Sequence, residues 1–277
     1  MRIGVSLREP SGPDPMGGLR EQMQQAANDG FASAWMSNIF GLDALTALAV
    51  AGNQVDGIEL GTAVVPTYPR HPAALAQQAL TTAAACGGRL VLGIGVSHKI
   101  VIEDMYGYDF DRPVRHMREY LAVLLPLLLA ALGTQTLRLA GQQADGTILW
   151  MTGPATVRDH VAPAITEAAL EAGRPAPRIV CILPVCVTGD PDGARERAAR
   201  VFAVYGELPS YRAMLDREGA AGPADVAIVG DEDAVGAQIS ALSEAGVTDF
   251  VAGEYGRGED ATRTRALLRA LLREGAR

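Results

Sequence analysis

Short apolar runs rich in β-branched residues alternate along this chain with longer stretches whose apolar positions recur at helical spacing. Ile3–Leu7 reads as a first strand. Leu19–Gly30 reads as a helix with Leu19, Met23, Ala26 and Ala27 on one face and Gly30 as its C-cap. Ala32–Ser37 predicts a second strand, and the almost wholly apolar Asp43–Ala51 a buried helix. Ile58–Val65 predicts a third strand, stopped by Pro66, before a helix over Pro72–Cys86 whose proline suits a first turn. Arg89–Val96 predicts a fourth strand; its centre, Leu90-Val91-Leu92, is continuously apolar, as in strands covered on both faces. A helix over Pro113–Leu128, a strand at Leu129–Leu132, a helix over Thr134–Gln142 and a strand at Thr147–Met151 follow. The remainder predicts a helix over Val157–Ala172, a seventh strand at Arg178–Thr188, helices over Pro191–Tyr205 and Ala234–Ala245, an eighth strand at Asp249–Ala252 and a closing helix over Ala261–Glu274.

Eight strands each followed by a helix point to the α/β class, and to a parallel sheet closed as a (β/α)8 barrel of the TIM type. Such a barrel takes roughly 250 residues, so the 277 residues form one domain spanning 1–277. One join departs from the pattern. Between Leu124 and Gly133 the only residue that would mark a turn is Pro126, so either one helix bends there or a segment is missing before the fifth strand.

Composition narrows the chemistry. Apolar residues make up 48% and aromatics 5%, so the core is large and mostly aliphatic. A net charge of −8, with Lys99 the single lysine, supplies no basic block of the kind nucleic acid selects, so no nucleic-acid partner is expected. The longest apolar run, Leu121–Leu132, is too short for a bilayer span, and no signal peptide precedes the first strand; a cytoplasmic protein with no membrane partner is expected. Cys86, Cys181 and Cys186, odd in number and without CxxC spacing, read as buried reduced thiols.

In a barrel of this kind the site lies at the C-terminal ends of the strands. The residues there are Ser37-Asn38, Gly61–Thr67, Gly93–His98, Gly133-Thr134 and Thr152-Gly153-Pro154. Small residues let a flat ring or a phosphate approach the backbone, and the amides opening the helix at Thr134 suit an anion; tight βα turns alone would use the same residues. Gly93–His98 fails as a dinucleotide fingerprint because His98 stands where a third glycine is needed. His71, His98, His116 and His160 share no metal-ligand spacing. His98 ends a strand at the mouth and is the acid/base candidate; His116 and His160 read as surface or packing residues in helices, and His71 as a stiffener of its loop. Glu103 and Asp104 read as a solvated loop, and Trp35, Met36, Trp150 and Met151 either as an apolar mouth lining or as barrel packing.

The chain resembles the luciferase-like monooxygenase superfamily, and within it the coenzyme F420-dependent oxidoreductases. The resemblance rests on Gly61–Pro72, Arg89–Ser97, Ala130–Gly133 and Ala144–Thr147. It extends to Val229–Val235 followed by Glu244–Val247, which looks like the family's last βα unit. It implies a barrel that uses F420, with FMN as the alternative, for hydride transfer to or from a small-molecule substrate, and assembly as a homodimer. An FMN monooxygenase fed by a separate reductase, or a binder without turnover, are the other readings. It implies a bulge with a cis peptide at Ala63-Val64, ring contacts from Ser37, Gly95, Ser97 and Thr152-Gly153, and phosphate contacts from Ala131, Leu132, Gly133 and Thr134. His98 falls where some relatives place a glutamate proton donor, which weighs against a sugar-type substrate. Family members usually carry roughly 30 more residues near Leu128, which agrees with the abrupt join there.

Overall fold

The computed structural model describes residues 1–124 and 126–274. Eight parallel strands are β1 (Arg2–Ser6), β2 (Ser33–Met36), β3 (Glu59–Thr62 and Val65–Pro66), β4 (Leu90–Val91 and Gly93–Gly95), β5 (Leu128–Ala130), β6 (Gly146–Trp150), β7 (Arg178–Val187) and β8 (Asp249–Glu254). Each pairs with the next, and β8 returns to β1 through Arg2↔Asp249 and Val5↔Ala252, which closes the predicted barrel. β3 and β4 are each interrupted: their first halves pair through Leu60↔Leu90, their second through Val65↔Ile94. The Ala63–Val64 peptide at the break in β3 is cis, where the resemblance put it.

Successive residues of a strand face opposite sides, so every second residue fills the barrel interior. Trp35, Leu128, Ile148, Val180, Ile182 and Val251 form that inner cluster, separate from the larger core between strands and helices. Trp35 is its centrepiece: fully buried, its Nε1–H donates to Ser33 Oγ at 2.8 Å. Glycine makes the room, because a Cβ on Gly61 would lie 2.2 Å from the Trp35 ring. The N-terminal end is plugged by charge. Arg178 donates to Asp249 at 2.7 Å and to Glu59 at 2.9 Å, and Arg2 pairs with the same two carboxylates at 3.2 Å.

The outer ring comprises α1 (Pro15–Asp29), α2 (Ala44–Gly52), α3 (Pro72–Ala85), α4 (Pro113–Leu121), α5 (Thr134–Gln143), α6 (Ala162–Glu171), α7 (Pro191–Val201), α8 (Ala203–Glu207), α9 (Pro209–Glu218), α10 (Glu232–Glu244) and α11 (Glu259–Glu274). Asp14, Asp43, Asp190 and Asp231 cap α1, α2, α7 and α10 by accepting from first-turn amides. His71 does the same for α3, its Nδ1 accepting from Ala73 N, so it caps a helix rather than simply stiffening a loop.

Several expectations are corrected. The helix predicted to Leu128 ends at Leu121, and the strand begins at Leu128, not Leu129; residues 122–127 connect them, with Leu125 outside the described residues. The leucines that looked like a continuing helix are the apolar lead into a buried strand. Pro191–Tyr205 divides into α7 and α8, and the chain then adds α9 and a three-residue strand, Ile228–Gly230, paired with the outer end of β7. Glu103 and Asp104 lie in a π-helical turn, Val101–Met105, where Glu103 pairs with Lys99 at 3.6 Å, rather than in an open loop. All three cysteines are free and buried. Among the described residues no helix is long and apolar enough to cross a membrane, and no cluster of metal-ligand type is present.

Candidate active site at the C-terminal mouth

Inward-facing residues at or just past the ends of β1 to β6 form the floor of the mouth on that side, and most are small: Ser6, Ser37, Val64, Gly95, Ala130 and, alone in bulk, Trp150. Gly95 is needed for the fit, since a Cβ there would meet Val64 Cγ2 at 2.9 Å and Ala130 Cβ at 3.1 Å. Ser97 follows in the left-handed region, φ 64°, turning the chain so that His98 stands beside the mouth.

Two helices open at this rim, and their N-termini differ. After β6 the Ala155 and Thr156 amides donate to the Glu218 carboxylate at 3.1 and 2.7 Å, so the chain supplies its own anion there. Thr152 is fully buried with its hydroxyl on Trp150 O, and Gly153 lies against Glu218. At α5, by contrast, among the described residues no side chain caps the helix. Gly133 and Thr134 are exposed, and a Cβ on Gly133 would have only Thr136 Oγ1 near it, at 3.7 Å. Its free first-turn amides and positive dipole end make an anion seat. His160 borders this seat, its Nε2 2.9 Å from Leu132 O, so it is more than a surface residue.

His98 is half-buried, its ring centroid 5.4 Å from that of Tyr211 on α9. Burial holds its pKa below the ordinary histidine value, so the ring is neutral near pH 7. From Tyr211 an aromatic arc continues to Tyr205 at 5.2 Å, to Trp150 at 5.7 Å and to Phe202 at 5.8 Å. A second stack stands beside the β3 end. Tyr68 lies flat on His116 at 4.1 Å, and His116 Nε2 is 3.0 Å from Thr67 Oγ1. Burial lowers the His116 pKa as well. The Tyr68 hydroxyl and the Trp150 indole N–H are both buried without a hydrogen-bond partner among the described residues.

This arrangement matches a known family over most of the chain: the profile described as luciferase-like monooxygenase aligns with residues 1–128 and 124–249. The chain belongs to the luciferase-like monooxygenase family. The two aligned stretches of this luciferase-like protein meet at the join between α4 and β5. A Mycobacterium tuberculosis protein named as a putative coenzyme F420-dependent oxidoreductase is 36% identical over 124 residues, 45% of this chain and 35% of that protein, so the match spans about a third of its length. The 5,10-methylenetetrahydromethanopterin reductase of Methanolobus tindarius is 24% identical over 298 residues, covering 87% of this chain and 91% of the other. That alignment is longer than the 277-residue chain itself, so the archaeal enzyme carries residues with no counterpart here. Among solved structures, an F420-dependent secondary alcohol dehydrogenase in complex with an F420–acetone adduct superposes with a TM-score of 0.78 at 19% identity, covering 98% of this chain and 97% of that one. It shares the fold.

The luciferase-like mouth brings Ser37, Ala63, Val64, Gly95, Ser97 and His98 to one side of the opening. Ala131, Leu132, Gly133 and Thr134 lie together at the start of α5. Of the bulky residues considered for its lining, Trp35, Met36 and Met151 are buried in the core and Trp150 alone reaches the mouth. Sequence reasoning missed Tyr205, Tyr211 and Glu218. Tyr205 ends the helix predicted over Pro191–Tyr205 but was given no role, and Tyr211 and Glu218 sit on α9, where no strong apolar period announces an element.

Proposed function

We propose that this protein is a coenzyme F420-dependent oxidoreductase that exchanges hydride with a small organic molecule. The observation that carries the reading is the open N-terminus of α5 beside a floor in which any side chain at Gly95 would collide. That pairing suits a flat ring ending in a phosphate, and relatives named for F420 agree with it. Ser37, Ala63, Val64, Gly95 and Ser97 would back the ring, Ala131, Leu132, Gly133 and Thr134 would take the phosphate, and Thr152-Gly153 would bound the β6 side. Bound there, F420 supplies a two-electron hydride donor or acceptor.

The chain's own residues do the rest. The first-turn amides of α5 would take the phosphate, the floor would seat one ring face against backbone, and the aromatic arc would exclude water from the other. His98, neutral through burial, holds or takes the substrate's proton at a ring nitrogen. A cytoplasmic homodimer is the expected setting, to be checked by fractionation and sedimentation. The deciding experiment is titration of the apo-protein with F420 and separately with FMN, followed by cofactor fluorescence. Micromolar or tighter F420 binding with much weaker FMN binding supports the reading. Tight FMN binding alone replaces it with a monooxygenase, and binding of neither removes a cofactor role altogether.

A further inference from the structure

Trp150 lies at the junction of the barrel interior and the mouth. Its ring packs on the inner cluster with Ile182 and Val180. Its edge meets Phe202 and Tyr205 at 76° and 75°. Its Nε1–H is buried and bonds to nothing among the described residues. The Tyr205 phenol stands close by, its ring edge-on to the indole at 5.7 Å, and burial raises its pKa. Two donors from different elements, β6 and α8, therefore converge on one small region. Across from them stands His98, linked to Tyr205 through the Tyr211 ring.

A buried N–H with no acceptor forfeits its hydration without replacement, so proteins retain few of them. The other tryptophan differs: Trp35 has its N–H on Ser33 Oγ at 2.8 Å. The donors are walled by aromatic rings, which favours a flat apolar body, and two donors with no cation favour a neutral acceptor oxygen over a carboxylate.

We propose that Trp150 and Tyr205 form the substrate-oxygen site of this enzyme, and that its substrate class is a planar aromatic ketone whose carbonyl oxygen accepts from the indole N–H and the phenol O–H. The assignment rests on the hydride-transfer reading above, and it makes Trp150 and Tyr205 specificity-determining residues.

The chain's two tryptophans allow a direct test. In the 15N-labelled full-length protein each indole gives one cross-peak, assigned with Trp150→Phe. Trp35, already hydrogen-bonded, is the internal reference. F420, 2-acetylnaphthalene and its oxygen-free isostere 2-isopropenylnaphthalene are added separately. The proposal expects the Trp150 proton to move downfield with the ketone and not with the isostere, while Trp35 stays in place. Trp150→Phe and Tyr205→Phe, the second a near-isosteric change that keeps the ring, should each weaken ketone binding about tenfold and leave isostere binding unchanged. Equal responses to ketone and isostere, no response to either, or a shift produced by F420 alone to which the ketone adds nothing would each overturn it. Failure of F420 to bind, read from its own fluorescence, would sink the cofactor reading and leave the ketone arm standing on its own data.

Discussion

The two ends of the barrel are built from the same eight strands on opposite rules. At the N-terminal end the buried charge is answered from within: Asp249, 2% exposed, is held by Arg178 and Arg2, and Glu59 shares both guanidinium groups. At the C-terminal end donors are left open: the amides of α5, the Trp150 N–H and the Tyr68 hydroxyl. The first end encloses its polar groups and answers them within the chain; the second keeps an unfinished hydrogen-bond set. Stability and binding are thus separated along the barrel axis, and substitutions at the two ends should move different observables.

The largest expected effect tests the closed end. Arg178→Met leaves a nearly inaccessible carboxylate with only the half-exposed Arg2 as a cation, beside the Thr248 hydroxyl. Breaking a buried pair from one side costs about 3 kcal/mol or more. Urea denaturation should show the midpoint falling by that equivalent while the folded variant binds F420 as tightly as the parent. Lost affinity with unchanged stability would mean that the two ends are not separable. A smaller effect is expected from Glu218→Ala at the mouth. It removes the acceptor of the Ala155 and Thr156 amides, worth about 1 kcal/mol for a capping carboxylate, and it unlatches α9, with Tyr211, from the β6 loop. Hydrogen exchange should rise at α9 and leave the Arg178 end untouched.

The same division governs what the sequence disclosed. Strand interiors are apolar runs of fixed period, so the eight-strand alternation was legible, as was the small-residue character of Ser37, Gly95 and Gly133 at the strand ends. The ends of elements were less so. Leu124–Leu132 is leucine throughout its middle, and nothing in such a run separates the lead into β5 from a continued α4; the backbone resolves it because Leu128 and Leu129 must pair with Gly93 and Ile94. Trp35 and Trp150 show the limit for side chains. Both follow or end strands and both look like mouth residues, yet Gly4 and Gly61 open space that draws Trp35 inward, and that dependence on two distant glycines is invisible along one dimension. Glu218 was unreadable for the same reason: it acts on amides 62 and 63 residues away.

Proton linkage gives a third contrast, graded rather than abrupt. His98 and His116 both sit near the mouth, and burial depresses both pKa values below the ordinary 6.5. Between those depressed values and 6.5 the unfolded chain binds more protons than the folded one. Their contribution is therefore complete above about pH 6.5 and lost as pH falls through the folded values. The urea midpoint should decline from pH 7 to pH 5 more steeply in the parent than in a His98→Asn/His116→Asn variant. Identical slopes would mean that the mouth does not shield its histidines.

The smallest change in stability should accompany an unambiguous change in binding, and it is the sharpest test of the comparison. Gly133 is the N-cap of α5 in an extended conformation, φ −78° and ψ 152°, with open space around its Cα. Aspartate is a better N-cap than glycine by a few tenths of a kcal/mol, and its charge complements the helix dipole. Gly133→Asp should therefore raise the urea midpoint slightly, bringing α5 to the state in which Glu218 already holds the amides after β6. A carboxylate so placed occupies the seat assigned to phosphate and repels it, so F420 affinity should fall at least tenfold, about 1.4 kcal/mol, in the same variant. A protein made more stable and less able to bind by one residue would locate the open end of the barrel at α5. A variant with the same gain and undiminished affinity would move the phosphate to another part of the rim.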